Sequence, residues 1–258
     1  MTHQAPHCPL CLSLNIHEHC SGEQWPLKGA FYFCTNCKSV FKDPKKHLIP
    51  EDEKARYDLH NNSIEDSRYI QYLEKSWNGF IQNILSSLNR QKVSVQKESP
   101  GMLELQSPNL YTKELPLSEN GKMLFKTVLD YGCGPVKALE HILQSSSYEV
   151  QSWDKFYYTQ PLPLETFDVI FCHEVVEHFT HAEQDFDQLL RFAHKGTFLF
   201  LSTELYPQDF ESFKKWYYKN DPTHVIFYQK ESFEFLAQKH QLQLVSVFGN
   251  NKIILQKL

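Results

Sequence analysis

The chain has 258 residues, 41% hydrophobic and 14% aromatic, enough for one substantial core with a small appended unit. Its formal net charge of -5 and pI near 6.2 exclude a global attraction for phosphate backbones or anionic membranes, so nucleic acid is not indicated by charge, though not ruled out. No apolar run is long enough to span a bilayer, and Met1-Thr2-His3-Gln4 lacks the basic and apolar regions of a signal peptide. The expected location is cytoplasmic, where seven cysteines are metal ligands or free thiols rather than a disulfide framework.

The first element is a pair of knuckles, Cys8-Pro9-Leu10-Cys11 and Cys34-Thr35-Asn36-Cys37, separated by 22 residues. Four thiolates at this spacing close a tetrahedral zinc site with no open position, which makes the metal structural rather than catalytic. Phe31-Tyr32-Phe33 reads as a strand of a zinc ribbon, and the ribbon-like unit is assigned to residues 1–48. His17, His19 and Cys20 lie between the knuckles as competing ligands. Lys42, Lys45 and Lys46 read as a solvated turn.

Two helices follow. Glu51-Asp52-Glu53 opens the first on the favourable side of the helix dipole, and Asn61-Asn62-Ser63 breaks it. The second spans about 66–88, with Leu73, Trp77, Phe80, Ile84 and Leu88 at near-helical spacing, a stripe that indicates packing. Tyr57, His60 and Asn61, at the end of the first helix, are candidates to cap a ligand. From 90 to 122 turn residues dominate, consistent with an insertion and a short strand or hairpin near 102–111. Residues 49–122 are thus expected to form a helical lid and a loop-rich insertion.

A strand over 125–130 runs into Asp130-Tyr131-Gly132-Cys133-Gly134-Pro135 and a helix over 137–144. Two alternating glycines put bare backbone at the carboxyl edge of a sheet, where a flat or anionic ligand can approach. A dinucleotide fingerprint needs a third glycine, and Lys137 stands there instead. The strand over 148–154 closes in Asp154, about 20 residues past the glycines, placed to accept hydrogen bonds from ribose hydroxyls. The next buried strand, 167–172, delivers His173 and Glu174 to the same edge, with Glu177 and His178 a turn further on. Helix 182–193, strand 197–203, an aromatic helix ending in Trp216-Tyr217-Tyr218, helix 230–240 and a Gly249-Asn250 hairpin between 243–248 and 252–256 complete an α/β alternation that closes in an antiparallel pair.

With the four cysteines, Arg56-Tyr57-Asp58-Leu59-His60-Asn61, Leu129-Asp130-Tyr131-Gly132-Cys133-Gly134-Pro135, Glu174-Val175-Val176-Glu177-His178-Phe179, and Trp216-Tyr217-Tyr218 followed by Asp221-Pro222-Thr223-His224-Val225, the chain resembles a family of bacterial class I S-adenosylmethionine-dependent methyltransferases that carry an N-terminal four-cysteine unit. The resemblance implies an α/β fold: a Rossmann-like, mostly parallel, seven-stranded sheet over residues 123–258, with an antiparallel last strand. It also implies a cofactor, S-adenosylmethionine, lying over Gly132 and Gly134, with Asp154 on its ribose. Asp130, Tyr131, Gly132, Cys133, Gly134, Asp154, His173, Glu174, Tyr57 and His60 are the candidate cofactor residues. One departure is Val136, where such enzymes commonly have glycine; it is expected to narrow the space near the methionine end of the cofactor.

Methyl transfer from a sulfonium is an in-line displacement, so alignment in a dry pocket is the main demand and a base is needed only for a protonated nucleophile. His173, His178 and His224 are the candidate bases. The acceptor, a small molecule or a macromolecule, is not specified by any motif. An alternative is a degenerate cofactor-binding scaffold that recruits a partner through the zinc ribbon.

Overall fold

The computed structural model describes residues 6–22, 29–60, 62–95, 125–161 and 165–258; the hairpin expected near 102–111, and Asn61, lie outside them. Two sheets organise the chain. The larger contains β4 (Thr127–Tyr131), β5 (Glu149–Trp153), β6 (Phe167–His173), β7 (Ala193–Ser202), β9 (Leu242–Phe248) and β10 (Lys252–Lys257), in the order β5-β4-β6-β7-β10-β9. Strands β4 to β7 are mutually parallel, whereas β10 runs antiparallel to both neighbours. Gly249, at φ +59°, turns the chain between β9 and β10.

The central strands β4, β6 and β7 are buried on both faces, which is why they read as continuous apolar runs rather than as alternating ones. Successive side chains still go to opposite sides. In β6, Val169 and Phe171 pack on one face and Ile170 and Cys172 on the other; in β7, Phe198 and Phe200 oppose Leu199 and Leu201. One face is covered by α2 (Ser67–Val95) through Leu73, Trp77, Phe80 and Ile84, and by α3 (Ala138–Leu143). The aromatic stripe of α2 is therefore packing, as its periodicity indicates. The opposite face carries α4 (Ala182–Leu190) and α6 (Lys230–His240), through Phe186, Leu189, Phe233 and Leu236.

The seven-stranded expectation is corrected: the described residues supply six strands to this sheet, and β5 is its edge. The chain passes from β5 to β6 through residues 154–166. A single parallel crossover already takes a dozen or more residues, so this stretch is too short for a further strand with helices on either side.

The smaller sheet contains β1 (Ile16–Gly22), β2 (Gly29–Cys34), β3 (Val40–Lys42) and β8 (Ile226–Phe227), in that order. Its last strand comes from the far end of the chain, with Val40 opposite Phe227 and Phe41 opposite Ile226. The knuckles belong to the same buried cluster as Phe41, Ile226 and Tyr228, and Glu183 N–H donates to Pro9 O at 2.8 Å. The N-terminal sheet is thus joined to the larger unit by backbone pairing and by a common core.

Candidate active site

The carboxyl ends of β4, β5 and β6 open on a cavity of about 850 Å³, within the range of about 300–1,000 Å³ of small-molecule sites. The turn after β4 is built by backbone bonds to β5: Gly132 N–H and Cys133 N–H both donate to Trp153 O, at 2.8 and 3.2 Å. Gly132 sits at φ +80°, and a β-carbon there would lie 2.4 Å from Val175 Cγ2. Only glycine fits. Gly134, at φ +64°, has nothing within 4 Å of where its β-carbon would be, which leaves open space beside bare backbone.

Asp154 ties this turn to the end of β5. Its Oδ2 accepts from Gly134 N–H at 3.0 Å, and its Oδ1 from Phe156 and Tyr157 N–H at 2.8 and 3.2 Å. Tyr131, Gly132, Cys133, Gly134 and Asp154 all line the cavity. Asp130 does not. It is buried beneath the turn, where desolvation, with Asp154 and Glu140 nearby, pushes its carboxyl up to about 8. The expectation at Val136 is also corrected: its side chain packs against the α2/α3 core cluster and is absent from the cavity lining.

A second wall comes from α1 (Pro50–Asp58). Tyr57 and His60 line the cavity, and α1 is clasped across it by Glu53–Lys155 at 2.7 Å and Arg56–Asp221 at 3.0 Å. Tyr57 donates to Glu53 Oε1 at 2.7 Å.

The third wall follows β6. Glu174 is held at φ +55°, a left-handed conformation that costs a non-glycine residue about 1–3 kcal/mol and collects at functional sites. It accepts from Ser202 Oγ at 2.9 Å, and the Tyr218 hydroxyl lies 2.8 Å from Glu174 Oε2 and 2.6 Å from Glu177 Oε1. Burial raises both carboxyls above their usual range.

All three candidate histidines line the cavity. His173 stacks on Phe171 and has Nε2 3.1 Å from Ser76 Oγ. His178 Nδ1–H donates to Thr223 O at 2.9 Å and His224 Nδ1–H to Tyr218 O at 2.7 Å, while the two rings meet edge-on at 4.8 Å. Burial lowers His173 and His224 to about 3 and His178 to about 4, so all three are neutral, weak bases near pH 7. Tyr218, Glu177 and His224 stand in separate motifs of the sequence, and no local signal shows that the Tyr218 hydroxyl and carbonyl connect them.

At the knuckles, the Sγ atoms of Cys8, Cys11, Cys34 and Cys37 lie within 4.8 Å of one another, with Cys8–Cys37 at 3.5 Å and Cys11–Cys34 at 3.4 Å. A tetrahedron with metal–sulfur bonds of about 2.3 Å has edges of about 3.8 Å. The two knuckles repeat one backbone: Leu12 N–H donates to Cys8 O and Lys38 N–H to Cys34 O, both at 2.9 Å, and Leu12 and Lys38 are left-handed at φ 59° and 58°. Cys20 is in β1 and, like His17 and His19, is outside the cluster.

A glycine turn and a strand-end acid facing one cavity, over a parallel sheet with one reversed strand, define a Rossmann-like methyltransferase fold. The family model described as "Methyltransferase domain" matches residues 103–247, more than half of the chain, and the protein belongs to that family. Similar solved structures include TnmH (10% identity, TM-score 0.42, covering 52% of this chain and 50% of that one) and the mitomycin 7-O-methyltransferase MmcR (11%, 0.40, 52% and 49%). Another is an O-methyltransferase family 2 protein from Planctomyces limnophilus in complex with apigenin (15%, 0.38, 52% and 51%). This chain spans about half the length of each. No curated protein matches it. Among the described residues no helix is long and apolar enough to cross a membrane.

Proposed function

We propose that the protein is an S-adenosylmethionine-dependent methyltransferase, with the cofactor over Gly132 and Gly134 and its ribose on Asp154. The observation that carries this reading is the tie between Gly134 and Asp154: one carboxylate fixes the turn, while the empty space beside Gly134 admits a flat ligand against backbone. The cofactor would supply an activated methyl group on a sulfonium. The residues then have to align an acceptor and exclude water, a task suited to α1, which is clasped over the cavity through Glu53 and Arg56. Tyr57, His178 and His224 would border the acceptor, with the histidines neutral and held by carbonyls. Glu174, beside the turn, suits the cofactor's cationic groups.

The four thiols would hold a structural zinc ion, a reading supported by their spacing and by the repeated knuckle backbone. Because the knuckles share the main core, the metal would stabilise the whole chain rather than a separate unit.

Transfer is tested by incubating fractionated cell extract with the protein and methyl-labelled cofactor. Label is expected to enter at least one fraction with wild type and none with Asp154→Ala. Failure of wild type to label any fraction overturns the transfer reading.

A further inference from the structure

Glu177, His178 and His224 come together where the two histidines line the cavity: one ligand atom from each lies within 4.8 Å of those of the other two. Glu177 is fully buried, and its Oε2 has no hydrogen-bond partner among the described residues. Both imidazoles are committed as Nδ1–H donors to backbone carbonyls, so each keeps its lone pair on Nε2. That is how metal-ligating histidines are oriented, and a ligating carboxylate is in turn hydrogen-bonded, as Glu177 Oε1 is by Tyr218. His178 Nε2 and Glu177 Oε1 stand 3.9 Å apart, too far for a hydrogen bond. Ligand atoms about 2.1 Å from a shared ion are about 3–3.5 Å apart, which a small closure would reach.

The surroundings are built to hold His224 in place. Its loop is pinned by Lys42 Nζ, which donates to Asp221 O and Pro222 O at 3.2 Å each, and by Thr223 Oγ1, which donates to Asp221 Oδ1 at 2.6 Å. Lys42 lies in β3, so the N-terminal sheet braces this loop directly.

We propose that Glu177, His178 and His224 bind a divalent transition-metal ion, with the remaining coordination positions open to the cavity for water or a substrate oxygen. Two imidazoles and a carboxylate suit Mn²⁺, Fe²⁺, Co²⁺ or Zn²⁺. This is a different donor set from the four thiolates, whose tetrahedron would be closed.

The test uses the full chain as purified, without added cofactor, titrated with Mn²⁺ and followed by the electron paramagnetic resonance of free Mn²⁺. One Mn²⁺ per chain is expected. His178→Ala and His224→Ala should weaken binding at least 10-fold, whereas His141→Ala should not. Wild-type protein loaded with Co²⁺ checks the same point without a variant: the second Co²⁺ bound should show weak ligand-field bands and add no thiolate charge-transfer band. Absence of Mn²⁺ binding by wild type, unchanged binding in folded His224→Ala, or Co²⁺ spectra from thiolates alone would overturn the proposal. Because no cofactor is present, the result is separate from the methyltransferase reading, which stands or falls on cofactor binding.

Discussion

Asp154 Oδ2 accepts a hydrogen bond from the Gly134 amide at 3.0 Å, so the acid at the end of β5 fixes the turn at the end of β4. The same carboxylate accepts from the Phe156 and Tyr157 amides. One side chain thereby shapes two sides of the cavity before any ligand arrives.

Replacing Asp154 by Ala leaves three amides without that acceptor. These hydrogen bonds are part-buried, so water can take over in part and each one lost costs about 0.5–1.5 kcal/mol. Urea unfolding should therefore show a lower midpoint for Asp154→Ala, with Asp154→Asn intermediate because one side-chain oxygen can still accept. Equal midpoints for all three proteins would contradict the assigned network.

Gly132→Ala forces a β-carbon against Val175 at a position with φ +80°. A loss of about 1–3 kcal/mol is expected from the backbone alone, with the contact adding to it. Val175→Ala in the same chain removes the two closest contacts, leaving only the Cβ at 3.3 Å, and does not relieve the φ strain. A double-mutant cycle should thus give a favourable coupling of about 0.5–3 kcal/mol, and additivity would show that Val175 is not the obstacle.

Metal analysis of purified protein should give one zinc at the cysteines per chain, lost in Cys34→Ser. Since Cys8, Cys34 and Cys37 are buried in the main core cluster, removing this zinc should lower the Tm of the whole chain. Each kcal/mol lost moves Tm by about 2–4 °C at this size, so a fall of roughly 10 °C or more is expected. Iron in place of zinc, or an unchanged Tm after chelation, would overturn the assignment.

Burial pushes Asp130 up to about 8, whereas an unfolded aspartate titrates near 3.9. The folded state therefore holds a proton that the unfolded state gives up, and the contribution of this group is full below about pH 4 and declines as pH rises to about 8. The slope is at most about 1.4 kcal/mol per pH unit. Asp130→Asn should remove this decline between pH 5 and 8; the same pH dependence in wild type and variant would contradict a protonated Asp130.

The sequence made much of this legible for physical reasons. Strands buried on both faces leave continuous apolar runs, so β4, β6 and β7 appear within a few residues of their observed bounds. Thiol pairs at knuckle spacing are visible because the chemistry requires local proximity. Other features depend on partners remote in sequence. The two-residue strand β8 is defined only by its pairing with β3, and Val136 packs against a core cluster to which α2, remote in sequence, contributes Leu73, Trp77, Phe80 and Ile84. Asp130 looked like a ligand residue because it precedes the glycines, yet it is buried under them. The convergence of Glu177 and His224 required the Tyr218 bridge, which no local pattern encodes.

The most direct test is calorimetric titration of S-adenosylmethionine into wild type, Gly132→Val and Asp154→Ala. One site per wild-type chain is predicted, with affinity reduced at least 10-fold, about 1.4 kcal/mol, in each folded variant. No heat of binding from wild type, or equal affinity in all three, would contradict the cofactor site.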